Sequence, residues 1–210
     1  MTTDWSIRDL RAADGGAQLL LTLENGAGER EVLMLFASRL RAIPQIGGVD
    51  AAQLEHLRRE AAVTAAMRVG LRMLSVCGTS RRHLIEKLRA RGHAADVAAE
   101  AVEDLATRGY LNEAEGALRE AERGLAKLWG DRRILADLRA KGYGDGALRR
   151  VRERLADEDA VGRCVRLLRR LRAAIPTDAA QLHRLLARMQ RYGYAPAEAK
   201  RALRRMWNEK

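Results

Sequence analysis

At 210 residues, 47% of them hydrophobic, the chain can bury one or two cores or build a short helical array. Aromatics are only 4% and prolines number three, while the helix formers Leu, Ala and Arg dominate, so a mostly α chain is expected. No apolar run approaches the ~18 residues of a membrane span, and the opening Met1-Thr2-Thr3-Asp4-Trp5 has neither the basic nor the apolar part of a signal peptide; the expectation is a cytoplasmic protein with no membrane partner.

The net charge of +11 is unevenly spread. Residues 1–60 carry 7 basic and 9 acidic side chains (−2), residues 61–160 carry 19 and 16 (+3), and residues 161–210 carry 13 and 3 (+10). Such a C-terminal block attracts nucleic acid or an acidic protein surface. A solvated helix face rich in Arg is the other reading, and composition leaves both open. Cys77 and Cys164 match no metal or redox spacing and read as apolar fillers in a reducing compartment.

In chain order, Ala17–Leu23 and Glu31–Phe36 are apolar runs bounded by Asp14-Gly15-Gly16 and Asn25-Gly26, which predicts two strands, with a third over Ser6–Arg11. Ile43-Pro44 and Gly47-Gly48 mark a break. Asp50 caps a helix from Ala51 to Val76, with an interruption expected near Arg59–Ala62. Gly78 stops it, Thr79 or Ser80 caps the next helix to Gly92, and Ala95–Arg108 forms a third. A second group runs from Glu113 to Leu155, with Asp131 as a cap after Gly130. A third opens near Asp157; its long first helix ends at Ile175-Pro176, Thr177 or Asp178 caps the next, and Pro196 starts the last.

These groups echo one another. Leu84-Ile85-Glu86-Lys87-Leu88 runs to Gly92, Ile134-Leu135-Ala136-Asp137-Leu138 to Gly142, and Leu185-Leu186-Ala187-Arg188-Met189 to Gly193, the glycines lying 50 and 51 residues apart (142 − 92 and 193 − 142). Leu105, Leu155 and Met206 follow thirteen positions after each. Internal repetition of this length predicts an all-α fold of three tandem three-helix units behind a small N-terminal β-hairpin or β-meander. The expected division is 1–48 for the β element and linker, then units at 49–110, 111–156 and 157–210. A stack of such units suits a large partner better than a small substrate.

Chemistry is sparse. Gly15-Gly16 and Gly47-Gly48 lack the lysine of a phosphate loop, and no His-Glu-x-x-His or Cys-x-x-Cys occurs. His56, His83, His93 and His183 are scattered and read as surface residues, Ser80 as a cap, and Asp157-Glu158-Asp159 as a helix start. The expectation is no catalytic residue, no metal and no cofactor. The arginine pairs are the candidate partner-binding residues. Arg81-Arg82 and Arg132-Arg133 hold matching places in the first turn of a helix, where a cation is unfavourable; a repeated unfavourable choice suggests use, and the guanidinium fork suits phosphate or carboxylate. Arg149-Arg150, Arg169-Arg170 and Arg204-Arg205 are further candidates. Each pair also reads as solvated surface. Tyr110, Tyr143, Tyr192, Tyr194 and Trp129 beside glycines read as wedges between helices, or as stacking surfaces for bases.

The phrases Ser80-Arg81-Arg82-His83-Leu84 to Gly92, Gly109-Tyr110-Leu111-Asn112-Glu113, and Gly130-Asp131-Arg132-Arg133-Ile134 to Lys141-Gly142 resemble the RecX family of RecA regulators across roughly residues 61–207. Departures stand at His83, at Asn112-Glu113 and at Gly116, where the family carries a core phenylalanine; loss of that ring leaves the packing of the second unit open. The resemblance implies a small monomeric bacterial protein, not an enzyme, that binds in the groove of the RecA–DNA filament. There it restrains ATP hydrolysis, strand exchange and repressor self-cleavage, with direct DNA contact auxiliary. The alternative is a stand-alone DNA-binding protein with helix-turn-helix-like units.

Overall fold

A computed structural model describes residues 2–76 and 78–208. Four antiparallel strands, β1 (Thr2–Ala13), β2 (Gln18–Asn25), β3 (Arg30–Phe36) and β4 (Gly47–Asp50), form one sheet in the order β3-β2-β1-β4. Nine helices follow among the described residues: α1 (Ala51–Val76), α2 (Arg81–Arg89), α3 (Ala95–Thr107), α4 (Glu113–Ala126), α5 (Asp131–Ala140), α6 (Asp145–Ala156), α7 (Ala160–Arg170), α8 (Ala179–Arg191) and α9 (Pro196–Asn208). Packing divides the chain into two compact units, Met1–Val76 with Leu84–Tyr110, and Cys77–His83 with Leu111–Lys210.

The first unit is a sheet with helices on it. Period-two alternation in β2 turns Leu19, Leu21 and Leu23 to one face, where Leu33 and Leu35 of β3, Ile7 of β1 and Val49 of β4 join them. Leu54 and Leu57 of α1 close that core. The fourth strand corrects the break expected at Gly47-Gly48: Gly48 and Gly47 pair with Ser6 and Ile7. It is too short to alternate, so no strand pattern shows in the sequence. α1 starts where expected, in a reciprocal capping box in which Asp50 Oδ1 accepts from Gln53 N (2.8 Å) and Gln53 Oε1 accepts from Asp50 N (3.0 Å). It runs without the interruption expected near Arg59–Ala62 because that stretch is committed on both sides. Arg59 pairs with Asp96 (2.6 Å) and Glu100 (2.8 Å), Glu60 with Arg39, and Val63 is buried.

Arg39, in a 3-10 turn after β3, is the electrostatic centre of this unit. Its guanidinium serves Glu60 of α1 (Nε to Oε2, 2.7 Å) and both Glu100 and Asp104 of α3. The side chain is only 9% exposed, and so is that of Glu60. Burial pushes the Glu100 carboxyl up, but the hydrogen bonds from Arg39 and Arg59 outweigh it and hold the group below its ordinary range.

The second unit holds two helical cores. One gathers Ala117 and Ala121 of α4, Ile134 and Leu138 of α5, Leu148 and Val151 of α6 and the Tyr143 ring. The other gathers Cys164 and Leu168 of α7, Met189 of α8, Ala199 and Ala202 of α9 and the Tyr194 ring. Cys164 is the buried filler expected, its thiol pushed up to about 12 by burial; Cys77 lies outside the described residues. α7 stops well before Ile175-Pro176, because Arg172 turns left-handed (φ 47°) while Ala173 N–H reaches back to Leu168 O (3.0 Å). Leu128 (φ 58°) ends α4 the same way, Trp129 N–H reaching Gly124 O (3.0 Å). Neither stop carries the glycine that usually signals one.

Removing Arg39 leaves the buried Glu60 carboxylate without a cation and takes one partner each from Glu100 and Asp104, which keep Arg59 and Arg108. Arg39→Ala should therefore lower stability by roughly 3–5 kcal/mol at neutral pH. Because the Glu100 carboxyl is depressed in the fold, its contribution is complete above its unperturbed value of 4.5 and is lost as pH falls through the depressed value. Urea denaturation across a pH series should show the gap between the two proteins closing on acidification.

Candidate partner-binding surface

The first turns of α2 and α5 carry the matched arginines, and both turns are docked. Ser80 caps α2 by accepting from His83 N–H (3.1 Å), and its hydroxyl donates to Lys141 O (2.5 Å), in the turn between α5 and α6. One helix pair further on, Gly130 N–H donates to Tyr192 O (2.7 Å) and Arg132 N–H to Gly193 O (3.3 Å), in the turn between α8 and α9. In both places a helix N-terminus, with unmatched N–H groups, meets a helix C-terminus with unmatched carbonyls.

Glycine makes the approach possible. Gly142 (φ 78°) and Gly193 (φ 92°) are left-handed, and each closes its helix with a long reach-back bond, from Tyr143 N–H to Leu138 O (3.1 Å) and from Tyr194 N–H to Met189 O (3.1 Å). A methyl on Gly142 would sit 2.9 Å from Arg82 Cβ, and one on Gly193 2.4 Å from Arg133 Cβ. The tyrosine after each glycine is buried. Tyr194 donates to Leu128 O (2.9 Å). Tyr143 fills the room at Gly116, where an added Cβ would be 3.3 Å from its hydroxyl. The packing left open at Gly116 is thus met by a ring from the α5–α6 turn. Tyr143 and Tyr194 are the wedges foreseen, while Tyr110 is 59% exposed.

This docking changes the meaning of the first-turn arginines. A cation beside its own helix N-terminus is unfavourable, but these lie against the carbonyl end of another helix, which favours it. Arg133 shows this directly. Its guanidinium sits over the Trp129 ring (4.2 Å) and near that of Tyr192 (5.7 Å), and Nη1 donates to Arg191 O (3.4 Å). Arg82, an exposed residue, lays its aliphatic stem over Gly142. Arg81 is engaged by Glu113, which accepts from its N–H (2.8 Å). Arg132 is exposed and has no ion pair among the described residues.

The other candidates are carried by three more helices. Arg149 and Arg150 are exposed on α6, Arg150 beside Glu153 (3.6 Å). Arg169 and Arg170 are exposed in the last turn of α7, where cations suit the macrodipole. On α9, Arg205 pairs with Asp159 (3.0 Å), whereas Arg204 is exposed in a groove with Ile175, Leu182 and Trp207.

Asp131 is not the cap of α5, as expected from sequence; Gly130 holds that position, and Asp131 is the partner of Arg163. Arg163 is 1% exposed, and its Nε and Nη1 find no hydrogen-bond partner among the described residues. Burial pushes the Asp131 carboxyl up against the opposing pull of Arg163. An Arg inside an Arg-rich helix gives no sequence signal that it is the buried one, although Arg163 falls on the same face as Leu167. Among the described residues no group of three or more His, Cys, Asp or Glu could hold a metal ion, and no helix is long and apolar enough to cross a membrane.

No family model matches the chain, and no curated protein matches it by sequence. Solved structures do. A crystal structure of the regulatory protein RecX aligns over 93% of this chain and 97% of its own, with a TM-score of 0.70 and 15% identity. RecX from Lactobacillus salivarius aligns over 69% of this chain and 96% of its own, with a TM-score of 0.60 and 17% identity. The chain has the fold of these RecX proteins.

Gly130 and Gly144 isolate the backbone contact. Both precede a helix with φ −75°, so alanine costs the same intrinsic capping preference at each. A methyl at Gly144 meets open space, but one at Gly130 would lie 2.3 Å from Gly193 C. Gly130→Ala should be less stable than Gly144→Ala by roughly 1–3 kcal/mol, read from paired thermal and urea melts.

Proposed function

We propose that this chain is a RecX-family regulator that binds the RecA–DNA filament and restrains RecA's ATP hydrolysis, strand exchange and co-protease activity. It would do so without catalysis of its own, as a cytoplasmic monomer. One observation carries the reading: the fold likeness to RecX spans 93% of the chain. Two of the three sequence phrases that resemble the family, those opening at Ser80 and Gly130, lie at the docked helix ends. On this reading α1–α3, α4–α6 and α7–α9 are three like units, at 49–110, 111–156 and 157–210 behind the β element of 1–48.

The filament offers acidic protein surface and DNA phosphate, and exposed guanidinium groups suit both. Arg132, Arg149, Arg170 and Arg204 are the contacts favoured here, because each is exposed and has no ion pair among the described residues. Arg81, Arg150 and Arg205 already face carboxylates, and Arg133 already has an aromatic seat. Binding alters RecA's cycle only if the chain prefers one filament state over another. The +10 charge of residues 161–210 favours a second reading, a DNA-binding protein that needs no RecA. Steep salt dependence on naked duplex, with no effect on RecA, would select it.

The purified chain should slow DNA-dependent ATP hydrolysis by RecA at or below one chain per protomer and hydrolyse no ATP alone. Unchanged RecA turnover at that ratio, or ATPase activity of the chain itself, defeats the proposal. Arg132→Ala should weaken binding to RecA-coated DNA and flatten its salt dependence while leaving the melting curve in place. Arg133→Ala should lower stability by roughly 0.5–1 kcal/mol through the lost ring contact, so its binding must be compared at matched folded fraction.

A further inference from the structure

The three tryptophans are treated differently by the fold. Arg58 lies over Trp5 (5.2 Å), and Lys127 (4.9 Å) and Arg133 (4.2 Å) lie over Trp129. Trp207 has no cation over its ring among the described residues and is 64% exposed. It stands at the rim of a groove of about 670 Å³ whose apolar wall is Ile175, Pro176, Leu182 and Leu203.

The helix that carries Trp207 has two distinct faces. Ala199 and Ala202 are buried in the core. Lys200, Leu203, Arg204 and Trp207 all line the groove, and their i, i+3, i+4, i+7 spacing puts them along one stripe. Neither Lys200 nor Arg204 makes an ion pair with any described residue. Two cations one turn apart, followed by an uncovered indole and an apolar wall, therefore face solvent in the segment that carries +10.

We propose that this groove is a binding site for single-stranded nucleic acid, with a base stacked on Trp207 and the neighbouring phosphates on Lys200 and Arg204. Charge complementarity selects a polyanion, and the indole selects among polyanions. A carboxylate chain satisfies the two cations and leaves the ring exposed. A duplex offers phosphates but keeps its base faces stacked within itself. A single strand presents charge and π-face together, and stacking of this kind tolerates any base. The site deepens the DNA contact of the proposed function and gives it an address, yet it requires no RecA.

The test compares fluorescein-labelled oligo(dT) with a strand of equal length whose central nucleotides are abasic. Both keep the phosphates, so arginines elsewhere on the surface bind them alike. Wild-type protein should hold the thymine strand roughly tenfold tighter by anisotropy. Trp207→Ala should erase that ratio, and Trp207→Phe should retain most of it. Lys200→Ala with Arg204→Ala should weaken both strands and flatten the log–log salt slope by about 1.4, the value for two single-strand phosphate contacts. Equal affinity of the wild type for the two strands overturns the proposal, a result that does not depend on how any variant folds. So does a Trp207→Ala protein that keeps the ratio, or tighter binding to duplex. A Phe-containing poly-glutamate peptide whose binding depends on Trp207, with no discrimination between strands, assigns the groove to an acidic protein segment instead. RecA is absent from every arm, so failure here leaves the filament proposal standing.

Discussion

The second unit depends on bringing two helix ends into backbone contact. A helix terminus inside a protein carries polar groups that its own helix cannot satisfy. Here the surplus N–H groups at the start of α5 are met by carbonyls at the end of α8, and the Ser80 hydroxyl at the start of α2 meets Lys141 O at the end of α5. At the start of α5 the contact is backbone to backbone and works only without side chains in between. Gly130 against Gly193 leaves no room for a methyl group, and the tyrosine after each left-handed glycine is carried inward to the core. Polar satisfaction, chain reversal and hydrophobic packing are thus solved within three residues, Lys141-Gly142-Tyr143 or Tyr192-Gly193-Tyr194.

That contact reassigns much of the positive charge. A first-turn arginine looks misplaced on an isolated helix, but against another helix's carbonyl end it is well placed, and Arg133 is held there by two rings and a carbonyl. Arg39 and Arg163 go further, each a nearly buried guanidinium paired with a carboxylate. Pairing charges away from water gains little net stability, but removing one member strands the other. Such arginines are therefore tied to the fold and leave the remaining exposed cations to set the surface field. A count of basic residues overstates what a partner can touch.

The helices were legible because period 3.6, glycine stops and polar caps agree with one another: α1 begins at the Asp50 cap, α8 at Asp178 and α9 at Pro196. β4 was hidden because four residues with two glycines cannot alternate. The ends of α4 and α7 were hidden because Leu128 and Arg172 adopt a left-handed turn that their side chains do not advertise. Asp131 was legible as a helix-start residue but not as the partner of Arg163, since a cap and a salt-bridge acceptor use the same carboxylate. The tyrosines after Gly142 and Gly193 are legible as wedges from their place beside the glycines, whereas the ring that packs at Gly116 is not, because Tyr143 lies in the turn between two other helices.

Rigidity connects this architecture to binding. Within the second unit the turn between α8 and α9 holds the start of α5 by backbone hydrogen bonds, so an exposed side chain such as Arg132 starts from a defined backbone position. Ordering a surface at the moment of association costs free energy that would otherwise appear as affinity, and a surface ordered by its own core avoids part of that cost. The same rigidity has a second effect. A partner that changes the spacing of its own acidic groups meets a fixed array of cations and is held more tightly in one spacing than in the other. On the proposed function, binding energy would become regulation through that difference.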